Sequence, residues 1–376
     1  MKKICVVIAP TNNCNLQCNY CYNRHNRNTH IIDFDMVADI IEKVFSEYDF
    51  IDFVWRGGEP LLMEPRFFKK VRRLQLLMAA KTEAKFRNSI QTNGTLISKK
   101  WIRLFKAMKY DIGISYDGIS NDLHRGNSTD TIRGFELCKK FGYSVGSISV
   151  ITQDNLKLCA QYEALKKYTK HMKFTPCFKT STSNFTIDAN EYITQLKLLF
   201  EHWLLDDEAT VLHPIVYFIR EVLGILETKE CMHAACLGRM LDIDATGTVR
   251  ICSHVADDAF VLGQWGEYAR VSDIFNGEKF NSVVSTMMKK RNNCKNTCRF
   301  FAFCQGGCCS EAFLLKSKSD DFSCKVIREF LPYVETRLGE LLSAGKTLEE
   351  YNPEFIGLVQ EAMCKNPLHL KQLSNI

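Results

Sequence analysis

The sequence lacks the features of a secreted or membrane-spanning protein. No apolar run approaches the roughly 20 residues that a membrane-spanning helix needs. The segment Met1–Pro10 carries two lysines and an apolar run that is too short for a signal peptide and that ends at a proline. We therefore expect a cytoplasmic protein without a membrane partner.

A basic stripe of the kind that binds nucleic acid is also missing. The net charge is only +6, and the Lys and Arg residues are scattered along the 376 residues. Scattered charges are typical of solvated surfaces, so we predict no nucleic-acid partner. The composition, 46% hydrophobic and 24% charged, is that of a soluble globular protein with a sizeable core.

Cysteine is absent from residues 22–137, although the chain has 17 cysteines. A secreted disulfide scaffold is usually short and has cysteines throughout its length. Clustered cysteines in a long chain without a secretion signal favour reduced thiolates that bind metal. Five cysteines lie outside every cluster and are interpreted as ordinary buried thiols: Cys5, Cys138, Cys159, Cys177 and Cys364.

The first half of the chain alternates short β-branched or aromatic runs with helical patterns. Strands are predicted at 4–9, 50–55, 85–91, 111–116, 144–151 and 171–176. Helices are predicted at 33–47, 64–80, 98–108, 129–141 and 155–169. Strands separated by helices form parallel sheets with right-handed crossovers. Six units are too few to close an eight-stranded barrel, so the predicted fold class is α/β, an open partial (β/α)6 barrel that resembles a TIM barrel. Its active site should lie at the carboxyl ends of the strands.

The composition changes after residue 230. Nine of the 17 cysteines fall between 231 and 324, and residues 241–252 alternate around a turn at Gly247, which predicts a hairpin. Two more helices are predicted within 186–228 and one at 325–345. We therefore predict three parts: the partial barrel at 1–228, a small cysteine-rich domain at 229–335 and a helical tail at 336–376.

The first motif is a C-x3-C-x2-C run after the first strand, made by Cys14, Cys18 and Cys21. Three thiolates on one tight loop can hold three irons of a 4Fe–4S cluster and leave the fourth iron open to an exogenous chelator. A zinc site with His25 as a fourth ligand is the alternative.

The second motif, Arg56-Gly57-Gly58-Glu59-Pro60, ends the second predicted strand. Paired glycines let a backbone approach a ligand closely, and Glu59 supplies an anionic acceptor for a cationic amine. The alternative is a Gly-Gly turn followed by a surface glutamate.

Together the two motifs resemble the radical S-adenosylmethionine (SAM) superfamily. The resemblance implies that the open iron chelates SAM, whose reductive cleavage yields a 5′-deoxyadenosyl radical, while the protein positions the cofactor. It also implies that the Gly57–Pro60 stretch, through Gly57, Gly58 and Glu59, holds the methionine amine of SAM. Tyr20, just before the third cysteine, should lie near the adenine.

Two further stretches resemble those that contact the ribose and carboxylate of SAM in a subgroup of the superfamily. They are Gln91–Gly94 and Ser115–Gly118, each at the end of a predicted strand. Asn93 and Ser115 suit hydroxyl contacts, and Arg125 suits a bidentate carboxylate clamp, with Arg133 as a rival. Singly these signals are weak, because Asn-Gly and Asp-Gly are common turns.

The carboxyl-terminal cysteines resemble the SPASM domain, a module with two auxiliary 4Fe–4S clusters. By position, the resemblance assigns Cys231, Cys236, Cys252 and Cys308 to the first auxiliary cluster. It assigns Cys294, Cys298, Cys304 and Cys324 to the second. Cys309 makes the assignment of Cys308 ambiguous, and residues 295–297 put three residues where the family has two. A structural zinc ribbon is the alternative.

Most of the chain resembles the peptide- and protein-modifying group of radical SAM/SPASM enzymes, and in particular the anaerobic sulfatase-maturating enzymes, which oxidise Cys or Ser to formylglycine. Two departures argue against that reaction. Ser253 occupies the position of the aspartate base of the maturases and cannot serve as a carboxylate base. Arg56 stands where Gln or His is common.

We therefore favour a maturase of ribosomally made peptides. Hydrogen abstraction from a Cα or Cβ of the precursor peptide, with an electron leaving through the auxiliary clusters, would give a crosslink or another oxidation. Formylglycine generation, a tetrapyrrole-modifying enzyme and a zinc-stabilised binding module without radical chemistry are the alternatives. Candidate bases are Asp117, His254, Asp257 and Asp258.

The expected partners are a precursor peptide and an external electron donor such as a flavodoxin or ferredoxin. Many such maturases carry an amino-terminal domain that binds the leader of the precursor. This chain begins directly at the first predicted strand. Either a separate leader-binding protein or the barrel itself would then recognise the substrate.

Overall fold

The structure is a computed structural model that describes residues 1–23, 28–177, 187–227, 236–252, 260–314, 322–343 and 348–374. Within these ranges, no helix has both the length and the apolar composition that crossing a membrane requires.

Seven parallel strands follow one another along one sheet, in the order of the sequence. Their bounds are β1 Lys3–Ile8, β2 Phe50–Trp55, β3 Lys85–Thr92, β4 Tyr110–Ser115, β5 Gly146–Ile151, β6 His171–Pro176 and β7 Val211–His213. The six predicted strands are confirmed to within two residues. The strand β7 was not predicted, because three residues are too few to show an alternating pattern.

Helices separate the parallel strands, as predicted. The helices of this half are α1 Phe34–Glu47, α2 Pro65–Thr82, α3 Lys99–Met108, α4 Asn121–His124, α5 Ser128–Lys140, α6 Leu158–Lys166, α7 Ala189–Leu204 and α8 Ile215–Val222. The first of them begins at an N-cap, Asp33, whose carboxylate accepts from the amide of Asp35.

Aromatic side chains fix which face of the sheet meets the helices. Phe53 of β2 stacks on Phe45 of α1 with ring centroids 6.1 Å apart, and Trp55 meets Phe68 of α2 edge-on at 5.8 Å. Such pairs each contribute about 0.5–1.5 kcal/mol beyond the area that they bury. Because strand side chains alternate, Val54 and the residue after the strand, Arg56, lie on the opposite face. We call that face the inner face of the sheet.

The second half of the chain extends the same sheet. The strands β8 Met240–Ile243, β9 Thr248–Arg250 and β10 Val261–Gln264 form an antiparallel meander, and β8 pairs in parallel with β1. The predicted hairpin is confirmed, with Gly247 at φ +83° in its turn. The sheet thus continues past the predicted domain boundary at 228/229, and the division itself stays a prediction.

The remaining described helices are α9 Val271–Asn276, α10 Glu278–Thr297, α11 Phe301–Cys304, α12 Cys309–Leu314, α13 Phe322–Ser343, α14 Pro353–Lys365 and α15 Pro367–Leu373. Phe330 of α13 packs edge-on against Phe218 of α8 at 4.9 Å. The fully buried Asn352 precedes α14 and donates to the backbone oxygens of Trp203 and Glu208. The described part of this region is helical and is anchored to the first half of the chain through Asn352.

Candidate active site

Glu59 lies at the centre of the motifs that follow β2 and β3. Its side chain is almost fully buried and accepts hydrogen bonds from the Leu61 amide at 2.9 Å, the Thr92 hydroxyl at 2.7 Å and the Asn93 amide at 2.8 Å. Burial raises the pKa of the Glu59 carboxyl, although the donors at Asn93 and Thr92 act in the opposite direction. A carboxylate desolvated in this way is stabilised further by a cationic partner.

The glycines of the second motif dock the cysteine-bearing loop against the end of β2. The amide of Gly58 donates to the Thr11 oxygen at 3.0 Å, and the amide of Glu59 donates to the Asn13 oxygen at 2.7 Å. A Cβ at position 57 would lie 2.6 Å from the Cβ of Ala9, and Gly57 has a φ of +134°, which side chains disfavour. A Cβ at position 58 would overlap the backbone oxygen of Asn13. The sequence pattern predicted that the glycines allow a ligand to approach, and their docking role against the loop became visible only in these contacts.

The three cysteines of the first motif lie together on the loop between β1 and α1. Cys18 is buried and packs with Leu16 and Tyr20, while Cys14 and Cys21 are partly exposed against the same group. Three thiols gathered on one partly exposed loop are a donor set that fits a cluster with three cysteine ligands. Cys177, which the sequence analysis interpreted as an ordinary buried thiol, packs against this group from the end of β6.

Asn93 ties the cysteine loop to the end of β3. Its side-chain nitrogen donates to the side-chain oxygen of Asn15 at 2.8 Å, and its own oxygen accepts from the Thr95 amide at 3.0 Å. Asn15 in turn donates to the Thr95 hydroxyl at 2.8 Å. Asn93 therefore follows β3 directly, and its side chain contacts the cysteine loop through Asn15 and its own neighbour Thr95. Nothing in the sequence pattern marked Asn15 or Thr95 as its partners.

Tyr20, Asp117 and Arg125 form one buried network. The Tyr20 hydroxyl donates to Asp117 and accepts from Arg125 at 2.9 Å, and the other Asp117 oxygen accepts from the Val150 amide at 2.9 Å. Burial raises the pKa of Asp117, against the opposing effects of Arg125 and Tyr20. The carboxylate has no exposed surface, so its contacts are those of a residue that fixes Tyr20. A role for Asp117 as a base stays a prediction.

Ser115 ends β4 on the inner face. Its hydroxyl accepts from the side-chain nitrogen of Gln91 at 2.7 Å, and the Gln91 side chain lies over Gly113, where a Cβ would collide with it. Arg133, the rival to Arg125, is mostly exposed on α5, where it pairs with Asp130. Of the two arginines, the structure brings Arg125 to the cysteine loop.

Arg56 and Asp242 form an ion pair on the inner face, between the cysteine loop and β8. The Arg56 guanidinium also lies over the ring of Tyr22, 5.4 Å from its centroid. Burial alone would lower the pKa of Arg56, but Tyr22, Asp242 and Cys252 hold it above its usual value. Arg56 was predicted to be unusual from its place in the second motif. Asp242 was not predicted, because it lies 186 positions away from Arg56 in the sequence.

Cys236, one of the cysteines predicted for the first auxiliary site, lies beside α10, where its neighbour is Cys309, a cysteine outside the predicted set of four. Cys236 and Cys309 pack together with Met287. Burial, with the neighbouring Cys252, raises the pKa of Cys309 to about 12. The structure thus places Cys309 with Cys236 and Cys252, while Cys308 is partly exposed.

Two of the cysteines predicted for the second auxiliary site, Cys304 and Cys324, are each influenced by other cysteines of that set. Burial raises the pKa of Cys304, and Cys298 and Cys294 raise it further. Burial also raises the pKa of Cys324, with Cys304 and Cys298 adding to the effect. The cations Lys290 and Arg328 act in the opposite direction. In the described parts of the chain, no three side chains of Cys, His, Asp or Glu stand close enough to share one metal ion.

Residues 8–157 match the family model of the radical SAM superfamily. The chain carries a radical SAM domain. Over 374 residues it is 28% identical to a cysteine-type anaerobic sulfatase-maturating enzyme of Clostridium perfringens, covering 90% of this chain and 98% of the relative. A solved structure described as native anSMEcpe with bound AdoMet and Cp18Cys peptide is 26% identical, covers 90% of this chain and 98% of its own, and superposes with a TM-score of 0.76.

A more distant solved structure, Streptococcus suis SuiB bound to the precursor peptide SuiA, shares the fold of this radical SAM enzyme. It is 17% identical, covers 84% of this chain and 74% of its own, and superposes with a TM-score of 0.58. The match to the family model and the similarity to the maturase confirm the predicted enzyme class and the cofactor class, SAM together with iron–sulfur clusters. The superpositions confirm the α/β fold.

Several predicted residues of the radical SAM enzyme lie outside the described ranges. They are His25, Cys231, Ser253, His254, Asp257 and Asp258. Their assignments stay predictions, and so do the roles of the other single residues named for SAM and the clusters.

Proposed function

We propose that this radical SAM enzyme oxidatively modifies a residue of a peptide or protein substrate. The observation that carries the proposal is the similarity to a sulfatase-maturating enzyme over nearly the full length of both chains. The anSMEcpe structure with bound AdoMet and a peptide, at a TM-score of 0.76, supports a peptide as the substrate class.

The cofactor site is proposed at the ends of β1 to β4. Cys14, Cys18 and Cys21 would hold the cluster, and SAM bound beside it would supply a 5′-deoxyadenosyl radical. Glu59 is the acceptor for the methionine amine, because burial disfavours its charged carboxylate and a cationic partner would stabilise that charge. Gly57 and Gly58 hold the cysteine loop in register with that carboxylate.

The buried network beside the loop would position the rest of SAM. Arg125 is held as a cation by Tyr20, Cys18 and Asp117, which together outweigh the effect of burial on its pKa. A guanidinium in this place suits the carboxylate of SAM. Tyr20, fixed by Asp117, would lie against the adenine, and Asn93 and Ser115 would face the ribose hydroxyls.

Two auxiliary clusters are proposed for the second half of the chain. The second would be held by Cys294, Cys298, Cys304 and Cys324, whose mutual effects on pKa support one shared site. For the first we propose Cys231, Cys236 and Cys252 with Cys308 or Cys309, and the packing of Cys309 on Cys236 favours Cys309.

The favoured modification is a crosslink or another oxidation in a ribosomally made precursor peptide. Two positions support a reaction other than formylglycine formation. Ser253 lacks the carboxylate of the maturase base. Arg56, which stands where Gln or His is common in the maturases, forms an ion pair with Asp242. An external one-electron donor of the flavodoxin or ferredoxin class and a separate leader-binding protein are the proposed partners.

Formylglycine generation is the second candidate, and the 28% identity to a cysteine-type maturase over 90% of the chain favours it. The two functions differ in their product, because only formylglycine is an aldehyde. An aldehyde-reactive hydrazide therefore separates them.

The test is an anaerobic incubation of the reconstituted enzyme with SAM, a reductant and two peptides. One peptide contains a cysteine in a sulfatase-type sequence, and the other is a precursor peptide encoded beside the gene. The proposal expects the precursor peptide to lose hydrogen in the mass spectrum without gaining hydrazide reactivity. Hydrazide labelling of the cysteine peptide would establish the second candidate, and two unmodified peptides would reject both.

A further inference from the structure

Arg56 occupies a special place on the inner face of the sheet. Val54 lies in one row with Val7 of β1 and Asp242 of β8, and Arg56 follows two positions later on the same face. From there its side chain reaches back across β1 to Asp242. The guanidinium is 20% exposed and the Asp242 side chain 7% exposed, so the pair is mostly removed from water.

The ion pair lies between the loop that carries Cys14, Cys18 and Cys21 and the hairpin that leads to Cys252. On one side the guanidinium packs over the ring of Tyr22, the residue next to Cys21. On the other side, Asp242 pairs across the hairpin with Arg250, which stands two positions before Cys252. Cys252 is also one of the groups near Arg56 that raise the pKa of its guanidinium.

An ordinary structural ion pair is the plain explanation, and the same sheet provides one for comparison. Arg87 of β3 donates to Asp52 of β2 on the inner face, but Arg87 is 61% exposed. Removing two charges from water is costly in protein interiors, and replacing a buried ion pair by apolar residues is often neutral or stabilising. The mostly buried Arg56–Asp242 pair is therefore weak evidence for a role in stability, whereas its charges act on their surroundings through a medium of low dielectric constant.

We infer that Arg56 is a positioning residue for the first auxiliary cluster, of which Cys252 is a proposed ligand. Its charge, together with that of Asp242, sets the reduction potential of that cluster. The inference rests on the proposed function, which assigns Cys252 as a cluster ligand. The net charge around an iron–sulfur cluster is one of the determinants of its potential. A nearby cation favours the reduced cluster, and a nearby anion favours the oxidised one.

The two residues of the pair should therefore have opposite effects. Arg56→Gln leaves the Asp242 carboxylate without its cation and is expected to make the potential more negative. Asp242→Asn leaves the guanidinium without its anion and is expected to make the potential less negative. The double variant restores a neutral pair and should lie near the wild type.

The experiment is an EPR-monitored redox titration of the reconstituted full chain and these variants, with iron content measured for each. Arg87→Gln is the matched control and should leave every potential unchanged. Only one of the two auxiliary signals is expected to move, since the group of Cys294, Cys298, Cys304 and Cys324 does not include Cys252. Opposite shifts in the two single variants support the inference; shifts of the same sign, or none, overturn it.

Two further measurements separate the possible failures. If Arg56→Gln does not load iron, Arg56→Lys keeps the charge and should titrate near the wild type, so that Asp242→Asn and Arg56→Lys carry the test. Formation of 5′-deoxyadenosine by the wild type is followed in parallel. Its absence would reject the proposed function, whereas its presence with unmoved potentials would reject only the role of Arg56.

Discussion

Gly58 and Asn13 touch so closely that no side chain fits between them. A Cβ at position 58 would overlap the Asn13 backbone oxygen. The amide nitrogen of the next residue, Glu59, donates a hydrogen bond to the same oxygen at 2.7 Å. The segment that leads into Cys14 is therefore held by the second motif.

Gly58→Ala is expected to displace that segment and to prevent loading of the first cluster. Overpacking of this kind costs about 1–3 kcal/mol. Because one of three four-iron clusters would be lost, the iron content should fall by about a third. The control is Gly266→Ala, since a Cβ at Gly266 meets nothing within 4 Å. Unchanged iron content in Gly58→Ala would show that the loop does not depend on this contact.

Asn15→Ala should loosen the same loop from the other side. The change removes the bonds of Asn15 to Asn93 and Thr95, and a buried donor or acceptor left without its partner costs about 1–3 kcal/mol. We expect a lower melting temperature and a broadened EPR signal of the first cluster, with the auxiliary signals unaltered. An EPR spectrum identical to that of the wild type would count against the tethering role of Asn15.

Tyr20→Phe should weaken SAM binding without loss of iron. The hydroxyl bridges Asp117 and Arg125, and its removal leaves the guanidinium less firmly placed. A loss of about 1–3 kcal/mol corresponds to an increase of roughly fivefold to a little over a hundredfold in the Kd for SAM. Equilibrium binding measures this Kd, and Tyr110→Phe is the control because the buried Tyr110 hydroxyl has no hydrogen-bond partner among the residues that the structure describes. Equal Kd values for the two variants would refute the assignment of Tyr20.

Asp206 gives the free energy of unfolding a defined pH dependence. Burial alone would raise the pKa of Asp206, but the bonds from Lys166 at 2.7 Å and Tyr162 at 2.8 Å lower it below its usual value. A carboxyl whose pKa is lower in the folded state stabilises that state above its unfolded pKa, about 3.9, and loses this contribution as the pH falls through the folded pKa.

Asp206→Asn should therefore destabilise the protein at pH 7 and differ less from the wild type below about pH 4. Urea unfolding at both pH values measures the difference in the free energy of unfolding. Asp207→Asn is the control, because Asp207 is the exposed neighbour of Asp206. A destabilisation by Asp206→Asn that is the same at both pH values would contradict the assigned pKa shift.

Much of the fold and the positions of the motifs could be predicted from the sequence, because strand and helix periodicities are local signals. The six longer strands and the glycine-turned hairpin were found this way. The short strand β7 and the parallel pairing of β8 with β1 were not, since neither leaves a periodic pattern. Asp242 and Asn15 were missed for a related reason: each acts through a partner far away in the sequence.

For some residues that the sequence marked as unusual, the physical reason became visible only in the structure. Gly57 and Gly58 were singled out for their backbone freedom, but the contacts that require it are with Ala9, Thr11 and Asn13. A side chain's burial and its hydrogen-bond partners, as for Asp117, follow from tertiary packing. A sequence pattern indicates which residues are unusual and leaves their partners open.

The central claim is that the cysteine loop supports radical SAM chemistry. The direct measurement is 5′-deoxyadenosine formation, by mass spectrometry, after anaerobic reconstitution with iron and sulfide and addition of SAM and a reductant. We predict that the wild type and a Cys159→Ala, Cys364→Ala control produce it, whereas a Cys14→Ala, Cys18→Ala, Cys21→Ala variant does not. Absence of 5′-deoxyadenosine from an iron-loaded wild type, or its undiminished formation by the triple variant, would contradict the account.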